Sequence, residues 1–295
     1  MTNTNRPIAG VARSAMLVDL NIAIYSGRKM DKSTQAEVVL SKGANSKRAA
    51  SVYKNLFSEC KELDAITKFQ ARARSEHYRL TMPWNDRGAR LLPTASLLDY
   101  KQVMSRYQQE FDRLVEAFLL KYPTLVAAAA FQLGTLFDRN EYPDAAQVAR
   151  RFRMDLSFVP LPTSGDFRLD VESDVQRELM EQYERRLEEQ LASATKDSWT
   201  RLYEALSRLS DRLTVDEDGK KKIFHDTIVT GAVDLCELLT AMNVTQDPQL
   251  ESARRQLQEV LLGVTPKELR DEDGTRVLTK QKVDQILSAF DWGTE

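Results

Sequence analysis

Between residues 25 and 90 this chain of 295 residues interleaves cations with aromatic rings. The cations are Arg28, Lys29, Lys32, Lys42, Lys47, Arg48, Lys54, Arg72, Arg74, Arg79, Arg87 and Arg90. The rings are Tyr25, Tyr53, Phe57, Tyr78 and Trp84. Binding a single nucleic-acid strand calls for both kinds: cations for the phosphates and π-faces for the bases. Arg28, Lys29, Lys47, Arg48, Lys54, Arg72 and Arg74 are the candidate phosphate contacts. Tyr25, Tyr53 and Trp84 are the candidate stacking rings. The same residues also fit a plainer account, with Phe57 in the core, Tyr25 and Trp84 packing a junction of sheet and helix, and the cations on a solvated face. The sequence supports both accounts.

Charge is sorted by position. Residues 1–90 hold 16 Lys+Arg against 8 Asp+Glu, while the remainder carries a net of −10, so the overall −2 conceals a basic arm on an acidic body. That arrangement suits a protein that grips a polyanion with one end.

Catalytic readings fail on inventory. His77 and His225 have no HxxxH, HExxH or Cys–His spacing, so no zinc site is expected. The glycines form neither a phosphate-binding loop nor a dinucleotide fingerprint, and no G-x-S-x-G elbow occurs. Cys60 and Cys236 form no CxxC and read as buried, reduced thiols. The acidic pairs Asp216/Asp218 and Asp271/Asp273 read as solvated loop carboxylates, because the surrounding residues lack the alternating ligands of a calcium loop. No cofactor and no metal are expected. No helix-turn-helix, zinc finger or RNP signature points to duplex reading. The polar N-terminus does not read as a signal peptide, and no uninterrupted apolar run reaches membrane-spanning length. A cytoplasmic protein with no membrane partner is expected.

These side chains must be positioned by the elements around them. Residues 15–25 alternate apolar and polar types with period two and read as a strand ended by Ser26-Gly27. Ser33 or Thr34 caps a short helix through Leu40. Val52, Leu56, Cys60, Leu63, Ile66 and Phe69 recur at threes and fours and predict a helix over 49–78. Pro83 and Gly88 make 82–93 a compact loop. A helix follows from about 93 to 121, and Pro123 suits the first turn of a new one. Residues 145–152 read as a short helix. RMDLSFVPLP (153–162) and FRLDV (167–171) read as two strands around a turn at 163–166. Residues 171–214 are nearly uninterrupted helix, with Leu187, Leu191, Leu202, Leu206, Leu209 and Leu213 stepping by threes and fours. Helices over 221–242, 248–262 and 279–290, and a charged loop at 265–276, complete the chain.

Four stretches carry a resemblance: YSGRK (25–29), HYRLTMPWNDRGARLLPTASLLDY (77–100), LGTLFDRNEYPDAAQVARRF (133–152) and SFVPLPTSGDFRLD (157–170). They resemble a family of phage and prophage proteins that has no assigned catalytic residues. The resemblance covers roughly residues 15–172 and is most specific at 82–93 and 158–170. It implies a phage context and no known enzyme chemistry. The chain is also similar to a phage-encoded single-stranded DNA-binding protein that acts as an RNA polymerase cofactor, although none of its DNA contacts maps onto a position here. Relatives that accompany MoxR-type AAA ATPases and von Willebrand-type proteins imply an adaptor or assembly role instead.

The expected fold is α+β and mostly α-helical, with a small antiparallel sheet packed on helices and a long C-terminal helical hairpin. The expected domains are a basic-armed α+β domain over 1–171 and an acidic helical arm over 172–295. The expected function is non-enzymatic binding of single-stranded DNA in phage replication, recombination or transcription, in the host cytoplasm. Phage RNA polymerase or replication proteins are the expected partners, and a homo-oligomer the expected state. The alternative is a protein–protein adaptor or assembly component, structural or ATPase-associated. A nuclease would need clustered carboxylates that the sequence does not reveal.

Overall fold

The computed structural model describes residues 11, 13–46, 48–85, 88–161, 173–215 and 220–293. The fold is α+β and 67% helical, with a four-stranded antiparallel sheet and a small two-stranded one. The strands are β1 (Ala15–Ala23), β2 (Arg28–Met30), β3 (Tyr53–Asn55), β4 (Met82–Pro83), β5 (Arg90–Pro93) and β6 (Arg153–Pro160). The helices are α1 (Lys32–Ser41), α2 (Lys61–Leu80), α3 (Leu97–Leu133), α4 (Ala145–Ala149), α5 (Ser173–Leu213), α6 (Thr227–Met242), α7 (Pro248–Leu261), α8 (Pro266–Asp271) and α9 (Asp273–Ala289). The larger sheet has the order β4-β5-β1-β6, and β2 pairs with β3 alone.

The chain forms two compact units. The first comprises Leu20–His77 and Lys101–Leu156; the second comprises Met1–Asp19, Tyr78–Tyr100 and Ser157–Glu295. The expected second strand at 167–171, its turn at 163–166 and the expected boundary lie outside the described residues.

In the first unit, α2 buries Leu63, Ile66, Phe69, Ala73 and His77 along one stripe, and Glu62 and Asp64 in its first turn suit the positive end of the helix dipole. The expected helix over 49–60 is absent. Tyr53–Asn55 is committed to β2, and Leu56 N–H donates to the Gly27 carbonyl at 2.7 Å, so the main chain there is extended. Leu56, Phe57 and Cys60 are buried from a bent chain, and their helical spacing is coincidental. Helix α3 runs through Pro123 without a break. An interior proline costs about 3 kcal/mol. Phe118 and Tyr122 before Pro123, and Val126 and Ala129 beyond it, are all buried, and that continuous apolar seam offsets the lost bond. Phe118 gathers the aromatic core, its ring centroid 6.2 Å from Phe57, 5.8 Å from Tyr122 and 5.6 Å from Phe152.

In the second unit, β1 meets β5 with Ala15 opposite Pro93 and Leu17 opposite Leu91, and β4 meets β5 with Met82 opposite Leu91. The expected loop at 82–93 is therefore a short hairpin. The strand β4 packs on α5, and β5 on α6. The C-terminal helices form a bundle and not a single hairpin: α5 packs on α6, α7 and α9, and α7 packs on α6 and α9. The spine of α5 is Leu187, Leu191, Ala194, Leu202, Leu206, Leu209 and Leu213, all buried. The expected loop at 265–276 contains α8, because Thr265 and Glu268 form a capping box and Pro266 supplies a first-turn φ.

Arg276 is buried to 1% exposure, and its guanidinium is held by main-chain carbonyls. Its guanidinium donates to the carbonyls of Arg212 at 2.6 Å, Leu213 at 3.0 Å and Leu269 at 3.0 Å. These donors satisfy carbonyls that the ends of α5 and α8 leave without helical partners. Arg276→Met should cost about 2–4 kcal/mol in chemical denaturation, because buried carbonyls lose charged donors. Arg276→Lys should recover less than half of that, since an ammonium cannot span three acceptors.

Candidate nucleic-acid interface

The chain leaves β1 at Ala23 and must turn within four residues to enter β2 at Arg28. Gly27 makes that turn with φ +61°, and a Cβ there would lie 2.8 Å from Leu63 Cδ2 and 3.3 Å from Phe57 Cδ2. The left-handed conformation favours glycine, and a Cβ would also force the tip of Leu63 to shift. The ribbon that follows has Arg28 opposite Asn55, Lys29 opposite Lys54 and Met30 opposite Tyr53. Paired positions share a face, so Arg28, Met30, Tyr53 and Asn55 lie on one side and Lys29 and Lys54 on the other.

At the end of the ribbon, Asp31 N–H donates to the Val52 carbonyl at 2.9 Å. The Asp31 carboxylate accepts from the backbone N–H of Ser33 and Thr34 and from both hydroxyls, capping α1. Those hydrogen bonds, led by the Ser33 hydroxyl, pull its pKa down to about 2. No side chain of α1 is buried. The helix thus owes its position to its capped first turn, and Lys32 and Lys42 stand exposed at its two ends.

The ten residues expected to contact a strand separate clearly. Arg28, Lys29 and Arg48 are exposed, and Tyr53 is 59% exposed. Lys54 is anchored to the protein: its ammonium donates to the Leu136 carbonyl at 2.8 Å and pairs with Glu141 at 2.7 Å. This fixes one face of the ribbon and leaves the Arg28–Tyr53 face outward. Arg72 pairs with Glu110 and lies over the rings of Phe69 and Tyr107, at 5.6 and 5.8 Å. Arg74 reaches the Ile22 carbonyl at 3.3 Å, beside the Gln70 amide at 3.0 Å. Lys47 lies outside the described residues. Tyr25 is a core residue, 4% exposed, with Arg151 5.4 Å above its ring, and burial pushes its phenol up to about 12. Trp84 belongs to the core of the second unit and is 8% exposed. Neither ring presents a face for stacking, so Tyr53 alone of the three does.

Sequence reasoning missed the ribbon itself, and with it Asn55 and Ser26. Three-residue strands are too short for a period-two signal, though the Ser26-Gly27 turn marks where the first begins.

The other candidates for chemistry are built into the structure. His77 is buried, and burial raises the thiol pKa of Cys60 and takes that of Cys236 to about 11. Asp273 pairs with Lys221, and Asp216 and Asp218 lie outside the described residues. Among the described residues no group of three His, Cys, Asp or Glu side chains is arranged to hold a metal.

Gly27→Ala should destabilise the protein by about 2–4 kcal/mol, from a left-handed alanine and the collision with Leu63. Denaturant titration measures this. Trp84→Ala should cost about 3–5 kcal/mol of stability in the same titration. Compared with known proteins, the chain matches no protein-family model, no curated protein and no solved structure.

Proposed function

We propose that this protein binds single-stranded DNA without catalysis, through the β2–β3 ribbon and the loop that joins α1 to β3. The observation that carries the reading is the exposed Tyr53 ring on one ribbon face with exposed Arg28, while Lys29 on the other face and Arg48 in the loop that leads to β3 are exposed as well. Asp31, next along the chain from β2, turns its oxygens onto its own helix cap. Residues 28–55 hold seven Lys+Arg against two Asp+Glu, so a polyanion meets a net positive surface. Arg72, Arg74 and Lys54 contribute to that field while engaged with protein acceptors. The resemblance of residues 15–172 to phage proteins supports a role in phage replication, recombination or transcription in the host cytoplasm. Phage RNA polymerase or replication proteins and further copies of the chain are the proposed partners.

A second reading, a protein–protein adaptor or assembly component, is favoured by α3. An 18-residue window of 94–136 has a mean hydropathy of 1.5 yet is only 22% buried. Leu120 is 83% and Phe131 91% exposed on the side away from the Phe118–Ala129 seam. Exposed apolar surface of this kind marks contact sites.

Fluorescence anisotropy with a labelled thymidine 30-mer separates the two. With about 4–6 phosphates neutralised, log K should fall with log salt at a slope of roughly −3 to −4. Replacing Arg28 and Lys29 together by alanine should flatten the slope by about 1.4, from ~0.7 per phosphate. Affinity that does not respond to salt would leave the adaptor reading standing. Loss of the labelled strand in the presence of magnesium would instead point to a nuclease.

A further inference from the structure

We propose that the outward face of the β2–β3 ribbon holds a pocket for one unpaired nucleotide, with the base on Tyr53, its edge against Asn55 and its phosphate on Arg28. The proposal rests on the single-strand reading above and adds to it a base-dependent contact. Ser26, Arg28, Tyr53 and Asn55 line one recess. The register dictates that company: Arg28 lies opposite Asn55, and Tyr53 lies two residues before Asn55 on the same face. The recess therefore combines a guanidinium, a carboxamide, a hydroxyl and a phenol ring within two short strands. A site for phosphate alone needs only cations. A half-exposed ring beside an amide adds what a base needs: a stacking floor, and a donor and an acceptor side by side for its edge. Met30, paired with Tyr53 and 39% exposed, extends the apolar floor. The recess is held in place from behind, where Lys54 fastens the opposite ribbon face to Leu136 and Glu141. Ser26 Oγ accepts from Arg28 N–H at 3.4 Å, which ties the recess wall to the Gly27 turn.

The test uses the full chain and two labelled strands of equal length, a thymidine 20-mer and a 20-mer of abasic tetrahydrofuran residues with the same phosphates. The wild type should bind the base-bearing strand roughly 5- to 150-fold more tightly, the span that one stacked base confers. Tyr53→Ala should remove most of that difference, Tyr53→Phe should keep it, and Arg28→Ala should weaken binding to both strands alike. Asn55→Ala should reduce the preference for the base-bearing strand and leave abasic affinity unchanged. Circular dichroism melting of each variant checks that the exposed substitutions leave the fold intact. Equal binding of the two strands by the wild type overturns the pocket and leaves the electrostatic reading in force. So does discrimination that survives in a folded Tyr53→Ala. Binding to neither strand overturns the single-strand reading and the pocket together.

Discussion

The candidate site depends on one close approach, the Gly27 backbone against Leu63 and Phe57. There the chain leaves the buried end of β1, reverses in a conformation open to glycine, and presents its carbonyl to Leu56 N–H. That bond closes the end of the ladder next to the core, between the strand leaving it and the strand returning to it. Arg28, Lys29 and Met30 are thereby placed opposite Asn55, Lys54 and Tyr53. A residue with a side chain at 27 would adopt a strained left-handed φ and push against the leucine of α2. The aromatic packing of Phe57 with Phe118, Tyr122 and Tyr142 holds the far side of the same junction. Exposure of the site thus rests on the most densely aromatic part of the first unit.

A second constraint recurs in the other unit, where helices end inside protein and their last carbonyls need donors. Arginines meet that need twice. Arg276 serves the ends of α5 and α8. Arg201 donates to the carbonyls of Tyr78, Arg79 and Thr81 at 3.0, 2.7 and 2.8 Å, and Arg90 adds bonds to the Thr81 hydroxyl and carbonyl. A planar guanidinium reaches several carbonyls in one place, which a lysine cannot do. Arg90 was among the cations counted toward nucleic-acid binding, and here its donors face the main chain. The net charge of the basic arm therefore overstates the cations available to a ligand.

Much of the architecture was legible from residue spacing. The leucine steps of α5 and the alternation of β1 are patterns in which every buried side chain falls on one face, and periodicity reports faces directly. The helix wrongly expected over 49–60 shows the limit of that reasoning: Leu56 and Cys60 are buried by a bend, and burial alone imitates a helical stripe. Pro123 misled in the opposite direction, since its steric cost is local while the apolar seam that outweighs it is tertiary. The capping box Thr265-Pro266-Lys267-Glu268 is readable in the sequence, though dense charge surrounds it. At the site, residue types identified the cations and rings but not their partners. Glu141 for Lys54 and Glu110 for Arg72 come from elements distant in sequence, and only the fold brings them together. Tyr25, Tyr53 and Trp84 are equivalent as letters, and burial alone separates them.

Pro123 also divides α3 in a way its outline does not show. With no amide at 123, the helical hydrogen bond to the Leu119 carbonyl is missing, on a stretch where Leu120, Pro123 and Thr124 face solvent. The seam of Phe118, Tyr122, Val126 and Ala129 keeps the two segments collinear, but the ladder between them has a missing rung. Opening of the segment beyond 123 therefore need not propagate into the segment before it. In native-state hydrogen exchange the amides of 124–133 should behave as a separate, less protected cooperative unit from those of 101–119. One continuous rod in shape would then be two in its fluctuations, and the exposed Phe131 would ride on the looser of them.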